Sequence, residues 1–342
     1  MRDFTGFKRG INLGGWLSQC LDHYNEEHYN TFIVEDDIKE IAGWGLDHVR
    51  LPIDYNVIQN EDGSFIEAGF KHIDDAIEWT EKYGLNIILD IHKAKGFVFD
   101  DTNYCSVFKD GEEQETFIAL WKEIAGRYGE KTNIVFELLN EVTAEEFAKP
   151  WNEIASRTIP NIRAIAPTTR IIIGGIFNNS IYGLTLLDKP YDENMVFTFH
   201  CYSPLVFTHQ KAGWVPELPS DFACKFPIPV KEMRQYSYKY FGAQYEHEYE
   251  GLDEGLIDDK FFKNMFTSAI KTAEKYDVPL YCGEYGVIDQ VDPESTLAWY
   301  ESIHKAMEEC NISRAAWTYK KMDFGITQEC VASIKDKLIA LL

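Results

Sequence analysis

Eight short apolar runs, separated by stretches with helical periodicity, constrain the fold of this 342-residue chain more than any other feature. The runs are mostly apolar and often β-branched, which is typical of strands buried on both faces of a parallel sheet. They cover residues 8–13, 48–52, 86–91, 133–139, 170–175, 195–199, 279–283 and 314–319. A chain with this rhythm is predicted to build one large parallel sheet.

The stretches between the runs carry the periodicity of amphipathic helices. They cover residues 34–44, 70–83, 112–128, 150–165, 261–276, 293–309 and 332–342. Several of the connections that follow, KYGLN, GWGLD and KYDVP, have the glycine or polar residue that caps a helix C-terminus. This alternation predicts a single (β/α)8 TIM barrel over residues 1–342. The alternative, a doubly wound open sheet, is disfavoured because the first run leads to NLGGW and not to a G-x-G-x-x-G helix start.

The connection between the sixth and seventh runs is much longer than one crossover helix requires. Its excess, approximately residues 203–260, is rich in Tyr, Phe, Pro and Glu. We expect a mostly helical subdomain inserted after strand six, which forms one wall of the active-site face. The alternative is a mobile acidic loop.

The chain is strongly acidic, with 56 Asp and Glu against 33 Lys and Arg and a formal net charge of -23. Such a surface repels nucleic acid and anionic membranes, so neither is expected as a partner. No apolar stretch approaches the roughly 20 residues of a membrane span. The beginning, MRDFTGFKRG, has no signal-peptide core. The compartment therefore stays open between the cytoplasm and secretion with a signal peptide outside this chain.

The seven cysteines are scattered and include no C-x-x-C pair, which gives zinc-ribbon and thioredoxin-type sites no support. This pattern is typical of reduced, mostly buried thiols. We expect no metal and no cofactor.

Polar and aromatic residues stand at the ends of most of the predicted strands, where the chemistry of such barrels is located. Two of them, Glu141 and Glu284, follow strands four and seven and could converge across the barrel mouth. Two facing carboxylates are what glycoside hydrolysis uses. Glu137 lies inside strand four, and we interpret it as an interior carboxylate paired with Arg50. The complete set of strand-end residues is Asn12, Trp16, Arg50, His92, Asn140, Glu141, His200, Tyr202, Glu284 and Trp317.

The neighbours of the two carboxylates suit the binding of a sugar. Asn140 can bind a hydroxyl, Trp317 offers a flat face for a pyranose ring, and the positive charge of Arg50 can keep a carboxylate ionised. Tyr202 can donate a hydrogen bond to that carboxylate. Trp16 and three further residues could line the cleft or belong to the core, namely Phe207, His209 and Trp214.

The motifs GINLGGW, HVRLP, FELLNEV, FHCYSP, YCGEYGV and WTYKKMDF together resemble glycoside hydrolase family 5, the cellulase-type retaining β-glycosidases. The resemblance extends from Arg9 to about Phe324 and includes the long segment after strand six, which is similar to a subgroup of bacterial endoglucanases. It implies that Glu141 is the acid/base and Glu284 the nucleophile. It also implies supporting roles for Arg50, His92, Asn140, His200, Tyr202 and Trp317. One departure is Lys93, which follows His92 where family members often have a second histidine.

The expected activity is that of a monomeric endo-1,4-β-glucanase on cellulose-type or mixed-linkage β-glucan. β-1,3-Glucanase and mannanase or glucomannanase activities are alternatives within the family. From other classes, a metal-dependent barrel hydrolase could use His92, His200, Glu141 and Glu284 as ligands. A sugar-binding protein without catalysis is the last alternative.

Overall fold

The computed structural model describes residues 1–101 and 103–342 and places all eight predicted strands in one closed parallel barrel. Neighbouring strands follow chain order, and β1 closes the barrel against β8. This confirms the (β/α)8 fold. The strands are β1 (Arg9–Asn12), β2 (His48–Asp54), β3 (Asn86–Lys93), β4 (Ile134–Glu137), β5 (Arg170–Gly174), β6 (Met195–Cys201), β7 (Leu280–Tyr285) and β8 (Ser313–Ala316).

Helices connect successive strands, as the periodicity predicts. The α-helices are α1 (Glu26–Thr31), α2 (Glu35–Gly43), α3 (Tyr55–Ile58), α4 (Glu67–Tyr83), α5 (Gly111–Tyr128), α6 (Ala148–Arg163), α7 (Ile176–Asn179), α8 (Ile181–Leu184), α9 (Leu205–Thr208), α10 (Val230–Phe241), α11 (Asp259–Tyr276), α12 (Pro293–Glu309) and α13 (Lys335–Leu341). Short 3₁₀ segments cover Ser106–Phe108, Glu145–Phe147, Gly242–Tyr249 and Glu329–Ile334. Of the described helices, none is long and apolar enough for a membrane crossing.

Several predicted boundaries differ from the observed ones by two or three residues, and two of these differences lie near the C-terminus. The predicted eighth strand runs to residue 319, whereas β8 ends at Ala316 and the following residues leave the ladder. The predicted last helix begins at residue 332, whereas a 3₁₀ segment precedes α13 there. The predicted C-caps are present: Gly84 and Asp277 end α4 and α11 in the left-handed conformation, with φ of 74° and 49°.

The barrel interior changes from apolar to polar along the strands. Its lower layer is an apolar cluster of Phe4, Phe7, Ile88, Val135, Ile172, Val196, Tyr281 and Ala315. Side chains two residues apart share a face of a strand. The next inward positions above Ile88 on β3 are therefore Asp90 and His92, and the next one above Val135 on β4 is Glu137. The alternation thus carries charged side chains to the carboxyl ends of the strands, above a closed apolar floor.

A register shift between β6 and β7 decides which residue faces the site. Phe199 pairs with Cys282, but the next residue, His200, pairs with Glu284, so Gly283 is skipped. A Cβ at Gly283 would lie 3.0 Å from Nε2 of His200. The glycine therefore gives the imidazole room, and the shift aligns it with the carboxylate of Glu284.

The segment between β6 and α11 contains α9, α10 and the 3₁₀ segment Gly242–Tyr249. Ser203, just beyond β6, donates a 2.5 Å hydrogen bond from Oγ to Oε1 of Glu248, which is buried. The carbonyl of Ser203 accepts a hydrogen bond from the indole of Trp299 on α12. These contacts join the segment to the strand end that carries Tyr202.

Candidate active site

Arg50, which has no exposed surface, lies at the centre of a polar cluster at the carboxyl end of the barrel. Its Nε and Nη2 donate to the two oxygens of Glu137 at 2.7 and 3.0 Å, which confirms the predicted interior pair. Burial alone would lower the pKa of Arg50, but the surrounding carboxylates outweigh burial and hold it well above its ordinary value. The remaining partners are Asn12 and Glu284 on Nη1, at 2.9 and 2.8 Å, and Asn140 and Asp90 on Nη2, both at 3.0 Å.

Glu284 is held from both sides at the end of β7. Oε1 accepts a hydrogen bond from Arg50 at 2.8 Å, and Oε2 accepts one from the Tyr202 hydroxyl at 2.9 Å. Burial and then the negative charge of Glu284 raise the pKa of Tyr202 well above its ordinary value, so its hydroxyl keeps the proton that it donates. The carboxylate is thus oriented by one cation and one neutral donor.

Glu141 follows β4 with a left-handed backbone, at φ 30°. Its Oε1 lies 2.7 Å from Nδ1 of His200, and its Oε2 accepts a hydrogen bond from Nδ2 of Asn178 at 3.2 Å. Only 13% of its side chain is exposed, and burial raises its pKa to about 7. A carboxyl group with this pKa can be protonated or ionised near neutral pH.

Glu141 and Glu284 meet at His200. One ligand atom from each of these three side chains lies within 4.8 Å of the other two. Nδ1 of His200 is 2.7 Å from Glu141 and 3.6 Å from Glu284. The two carboxyl groups therefore face the same small space across the barrel mouth.

This group of three side chains does not fit a divalent cation well. A metal would have to bind Glu284 while the guanidinium of Arg50 lies 2.8 Å from one of the oxygens of that carboxylate. His92, the other predicted ligand, lies elsewhere, with Nδ1 2.7 Å from Oδ2 of Asp90. The donor set is that of an acid–base site.

His92 and Trp317 form a flat stack beside the carboxylates. Their ring centroids are 5.7 Å apart and the planes differ by 2°. Burial lowers the pKa of His92 to about 3 and raises that of Asp90 to about 7, so His92 is neutral and its orientation is set by Asp90. A Cβ at Gly14 would lie 2.7 Å from the Trp317 ring, so this glycine is required for the close approach of the indole.

Asn140 and Asn12 contribute in different ways. Oδ1 of Asn140 accepts from Arg50, while its Nδ2 is buried and has no hydrogen-bond partner among the described residues. A buried donor without a partner is costly and suits a ligand hydroxyl. Asn12 donates to the carbonyls of Gly283 and Ala316, and so acts as a brace inside the barrel.

The four aromatic or histidine candidates divide into two pairs. Trp16 and Phe207 have no exposed surface, so neither can line a cleft in this conformation: Trp16 stacks on Trp79, and Phe207 packs on Phe226. By contrast, His209 packs edge-on against Tyr202, and the next ring, Trp214, is 54% exposed. Of the two alternatives that the sequence leaves open for Trp16 and Phe207, the cleft or the core, their burial supports the core and removes both from the candidate ligand contacts.

Comparisons with known proteins agree with this geometry. The family model for cellulase, glycosyl hydrolase family 5, matches residues 17–323. Cellodextrinase A from Ruminococcus flavefaciens is 44% identical over 98% of this chain and 93% of its own length. Endoglucanase C from Acetivibrio thermocellus is 39% identical over 99% of this chain and 98% of its own. The chain belongs to glycosyl hydrolase family 5.

Solved structures of the family have the same fold. Thermotoga maritima Cel5A in complex with cellobiose superposes with a TM-score of 0.75 and 28% identity, over 98% of this chain and 97% of that one. The same relative has a structure in complex with mannotriose, with the same TM-score and identity.

At the position where family members often carry a second histidine, Lys93 forms an ion pair with Asp100. The distance from Nζ to Oδ2 is 3.6 Å, and the ammonium also lies over the Phe99 ring.

The sequence analysis missed three groups of the site, namely Asp90, Asn178 and Asn179. Asp90 was recognisable from its spacing of two residues from His92 on a strand, whereas nothing in the sequence marked the two asparagines.

Proposed function

We propose that this family member is a retaining endo-1,4-β-glucanase that acts on β-glucan, with Glu284 as nucleophile and Glu141 as acid/base. One observation carries the proposal: a carboxylate oxygen of Glu141 and one of Glu284 lie within 4.8 Å of each other. Retaining glycosidases hold their carboxyl groups about 5–5.5 Å apart, whereas inverting enzymes need roughly 6.5 Å or more to fit a water molecule. The separation therefore supports direct attack on the sugar.

In the first step, an oxygen of Glu284 bonds to the anomeric carbon while the bond to the leaving oxygen breaks. The proton of Glu141 goes to that oxygen. In the second step, Glu141 takes a proton from water, the water oxygen bonds to the anomeric carbon, and Glu284 is released. A pKa of about 7 suits a group that must first donate and then accept a proton.

The remaining side chains would bind and orient the sugar. Arg50 and Tyr202 hold Glu284 in place for attack, and the unpartnered Nδ2 of Asn140 is available to a sugar hydroxyl. The stacked pair of His92 and Trp317 would form the flat wall of the reacting subsite. No cofactor takes part in this mechanism.

We further propose that residues 203–260 form an insertion that borders the cleft. Its side chains His209 and Trp214 extend the aromatic surface that begins at Tyr202. Trp214 would provide a platform for a sugar ring away from the bond that is cleaved.

Azide rescue of two single variants tests the two roles. Glu284→Ala and Glu141→Ala should each lose several orders of magnitude in activity on an aryl β-cellobioside. Azide should then give the α-glycosyl azide with Glu284→Ala and the β-glycosyl azide with Glu141→Ala, because it replaces the nucleophile in one variant and the second-step water in the other. The same azide anomer from both variants would refute the assignment.

The substrate is tested by product profiles on barley β-glucan, carboxymethylcellulose, glucomannan and laminarin. We expect cleavage of the first two and of cellohexaose. The relatives include one named endoglucanase and one named cellodextrinase, and a rapid fall in the viscosity of carboxymethylcellulose would favour the endo mode. Glucomannan is included because Cel5A has been crystallised with mannotriose.

Two further results would favour the rival classes of protein. Activity that is lost with EDTA and restored by zinc would favour a metal-dependent hydrolase, and binding of cellohexaose without cleavage would favour a sugar-binding protein. Light scattering of the purified protein should give the mass of a monomer.

A further inference from the structure

The turn that follows β5 places two adjacent asparagines, Asn178 and Asn179, beside the candidate acid/base Glu141 and its partner His200. Phe177, Asn178 and Asn179 are three of the four residues of α7, but all are left-handed, with φ of 54°, 55° and 54°, so this segment is a left-handed turn and not a regular α-helix. Non-glycine residues seldom adopt this conformation, and backbone strain of this kind collects at functional sites. The turn is fastened directly behind Glu141, because the backbone N–H groups of Phe177 and Asn178 donate to the carbonyls of Thr143 and Val142 at 3.0 Å each.

Glycines make the turn possible and aim Asn179 inwards. A Cβ at Gly174 would lie 2.1 Å from Oδ1 of Asn179, and a Cβ at Gly175 would lie 2.2 Å from the carbonyl of Gly183. Asn179 consequently has no exposed surface. The orientation of its amide is therefore determined by the surrounding protein atoms, because no solvent reaches it.

The amide of Asn179 and the carboxylate of Glu141 hold opposite sides of one imidazole. Nδ2 of Asn179 lies 3.3 Å from Nε2 of His200, whose Nδ1 lies 2.7 Å from Glu141. A neutral imidazole has one N–H donor and one acceptor nitrogen. Since the amide nitrogen can only donate, Nε2 is the acceptor and the proton of the ring is on Nδ1.

The reverse orientation of the amide is less favourable. Oδ1 of Asn179 is buried and has no hydrogen-bond partner among the described residues. Reversal would put the NH₂ group in that place and exchange the unsatisfied oxygen for a second unsatisfied N–H, and buried N–H groups without a partner are rarer than buried carbonyl oxygens without one.

We propose that Asn179 is a positioning residue that holds His200 in the Nδ1–H tautomer, so that His200 donates to Glu141 when Glu141 is ionised. This inference rests on the proposed function, since it is the second step that requires an ionised Glu141. In the other tautomer, Nδ1 would be an acceptor and would favour a Glu141 that keeps its proton.

His200 carries a single ring proton, and the position of that proton, on Nδ1 or on Nε2, is what the contact with Asn179 decides. Burial lowers the pKa of His200 to about 4, so the ring is neutral at working pH. The charged groups that act on His200 or Glu141 are Glu284, Arg50, Glu137, Asp100 and Asp90. None of them contacts Nε2 in the described structure, where the partner is Asn179.

The first test measures the tautomer in the wild-type protein without substrate. Long-range ¹H–¹⁵N spectra distinguish a protonated from an unprotonated ring nitrogen, and His200→Gln assigns the signal. We expect a protonated Nδ1 and an unprotonated Nε2. A protonated Nε2 would overturn the proposal. Because this measurement uses no substrate, it can fail or succeed independently of the proposed function, which the azide experiment tests.

The second test reverses the polarity of the contact with the nearly isosteric Asn179→Asp, whose carboxylate can only accept. The proton should move to Nε2. With 2,4-dinitrophenyl β-cellobioside, whose leaving group needs little acid assistance, kcat reports the second step. Loss of the donor and the added negative charge both favour protonated Glu141. We therefore expect the acidic limb of kcat to move to higher pH and kcat at pH 6 to fall at least about tenfold, while kcat/KM changes less than about threefold.

Asn178→Asp is the control for the tautomer: it removes the donor to Oε2 of Glu141 and adds a negative charge there, so its acidic limb should also move, but it does not contact His200. Its His200 should keep the Nδ1–H tautomer. Equal losses of kcat and kcat/KM in Asn179→Asp with an unmoved acidic limb would indicate a structural role only and overturn the proposal. A tautomer change in Asn178→Asp would do the same.

Discussion

Nη1 of Arg50 lies 2.8 Å from Oε1 of Glu284, and the same guanidinium also binds the carboxylates of Glu137 and Asp90. One buried cation thus binds three buried carboxyl groups, and it is their common partner. The cluster is therefore important for folding as well as for the orientation of Glu284.

Arg50→Met should destabilise the protein strongly, because it leaves buried carboxylates without their cation. Breaking a buried pair in this way costs about 3–5 kcal/mol in the free energy of unfolding. Without the cation these carboxylates favour their protonated forms, so the loss should be smaller at pH 5 than at pH 8. Urea denaturation at both pH values measures it.

Arg234→Met is the control for this experiment. Arg234 pairs with Glu246 at 2.6 Å, but its side chain is 44% exposed. An exposed pair contributes about 0.2–1 kcal/mol, so a loss as large as that in Arg50→Met would contradict the argument.

The pH dependence of kcat/KM should report Glu141 in the free enzyme. The first step needs its protonated form, and burial raises its pKa to about 7. The protonated fraction, and with it kcat/KM on a cello-oligosaccharide, should therefore fall about tenfold per pH unit above pH 7. Glu141→Ala should lack this limb when it and the wild type are assayed on the same aryl β-cellobioside, one whose leaving group needs acid assistance. A limb that persists in that variant would have another origin.

Tyr202→Phe removes the hydroxyl that donates to Glu284 at 2.9 Å. A hydrogen bond to a charged group contributes about 1.5–3 kcal/mol, which predicts a decrease in kcat/KM of roughly tenfold to hundredfold. Tyr128→Phe is matched to it, because Tyr128 also donates to a carboxylate at 2.9 Å, that of Asp74 on the outer helices. It should leave steady-state kinetics unchanged.

Trp214→Ala should weaken binding of long substrates without slowing the chemistry. The indole is 54% exposed and packs near His209 and Phe324. Loss of a stacking platform worth about 1–2 kcal/mol should raise KM for cellohexaose roughly fivefold to thirtyfold with little change in kcat. Tyr191→Ala is the control: its ring is equally exposed but precedes β6, at the opposite end of the barrel. An equal rise in KM in Tyr191→Ala would contradict the role of Trp214 as a binding platform.

One buried and one exposed tryptophan mark a limit of the sequence analysis. Trp16 and Trp214 both stand in loops that follow barrel strands, and the sequence treats them alike. Whether such a ring turns inwards depends on the partner that it meets, and Trp16 meets Trp79 and the carbonyl of Tyr29. Asn178 and Asn179 were missed for a related reason, because a run of three left-handed residues has no periodicity by which to recognise it.

The sequence by itself determined the eight strands, their order and the placement of Glu141 and Glu284 after strands four and seven, because hydrophobic burial and strand period are local patterns. It also determined that Glu137 and Arg50 lie inside the barrel. Only the tertiary structure decided which atoms meet: the β6–β7 register shift that aligns His200 with Glu284, and the turn that brings Asn179 to the far side of that ring. These contacts join residues distant in the chain, and barrel closure and register, which no local pattern encodes, determine their distances.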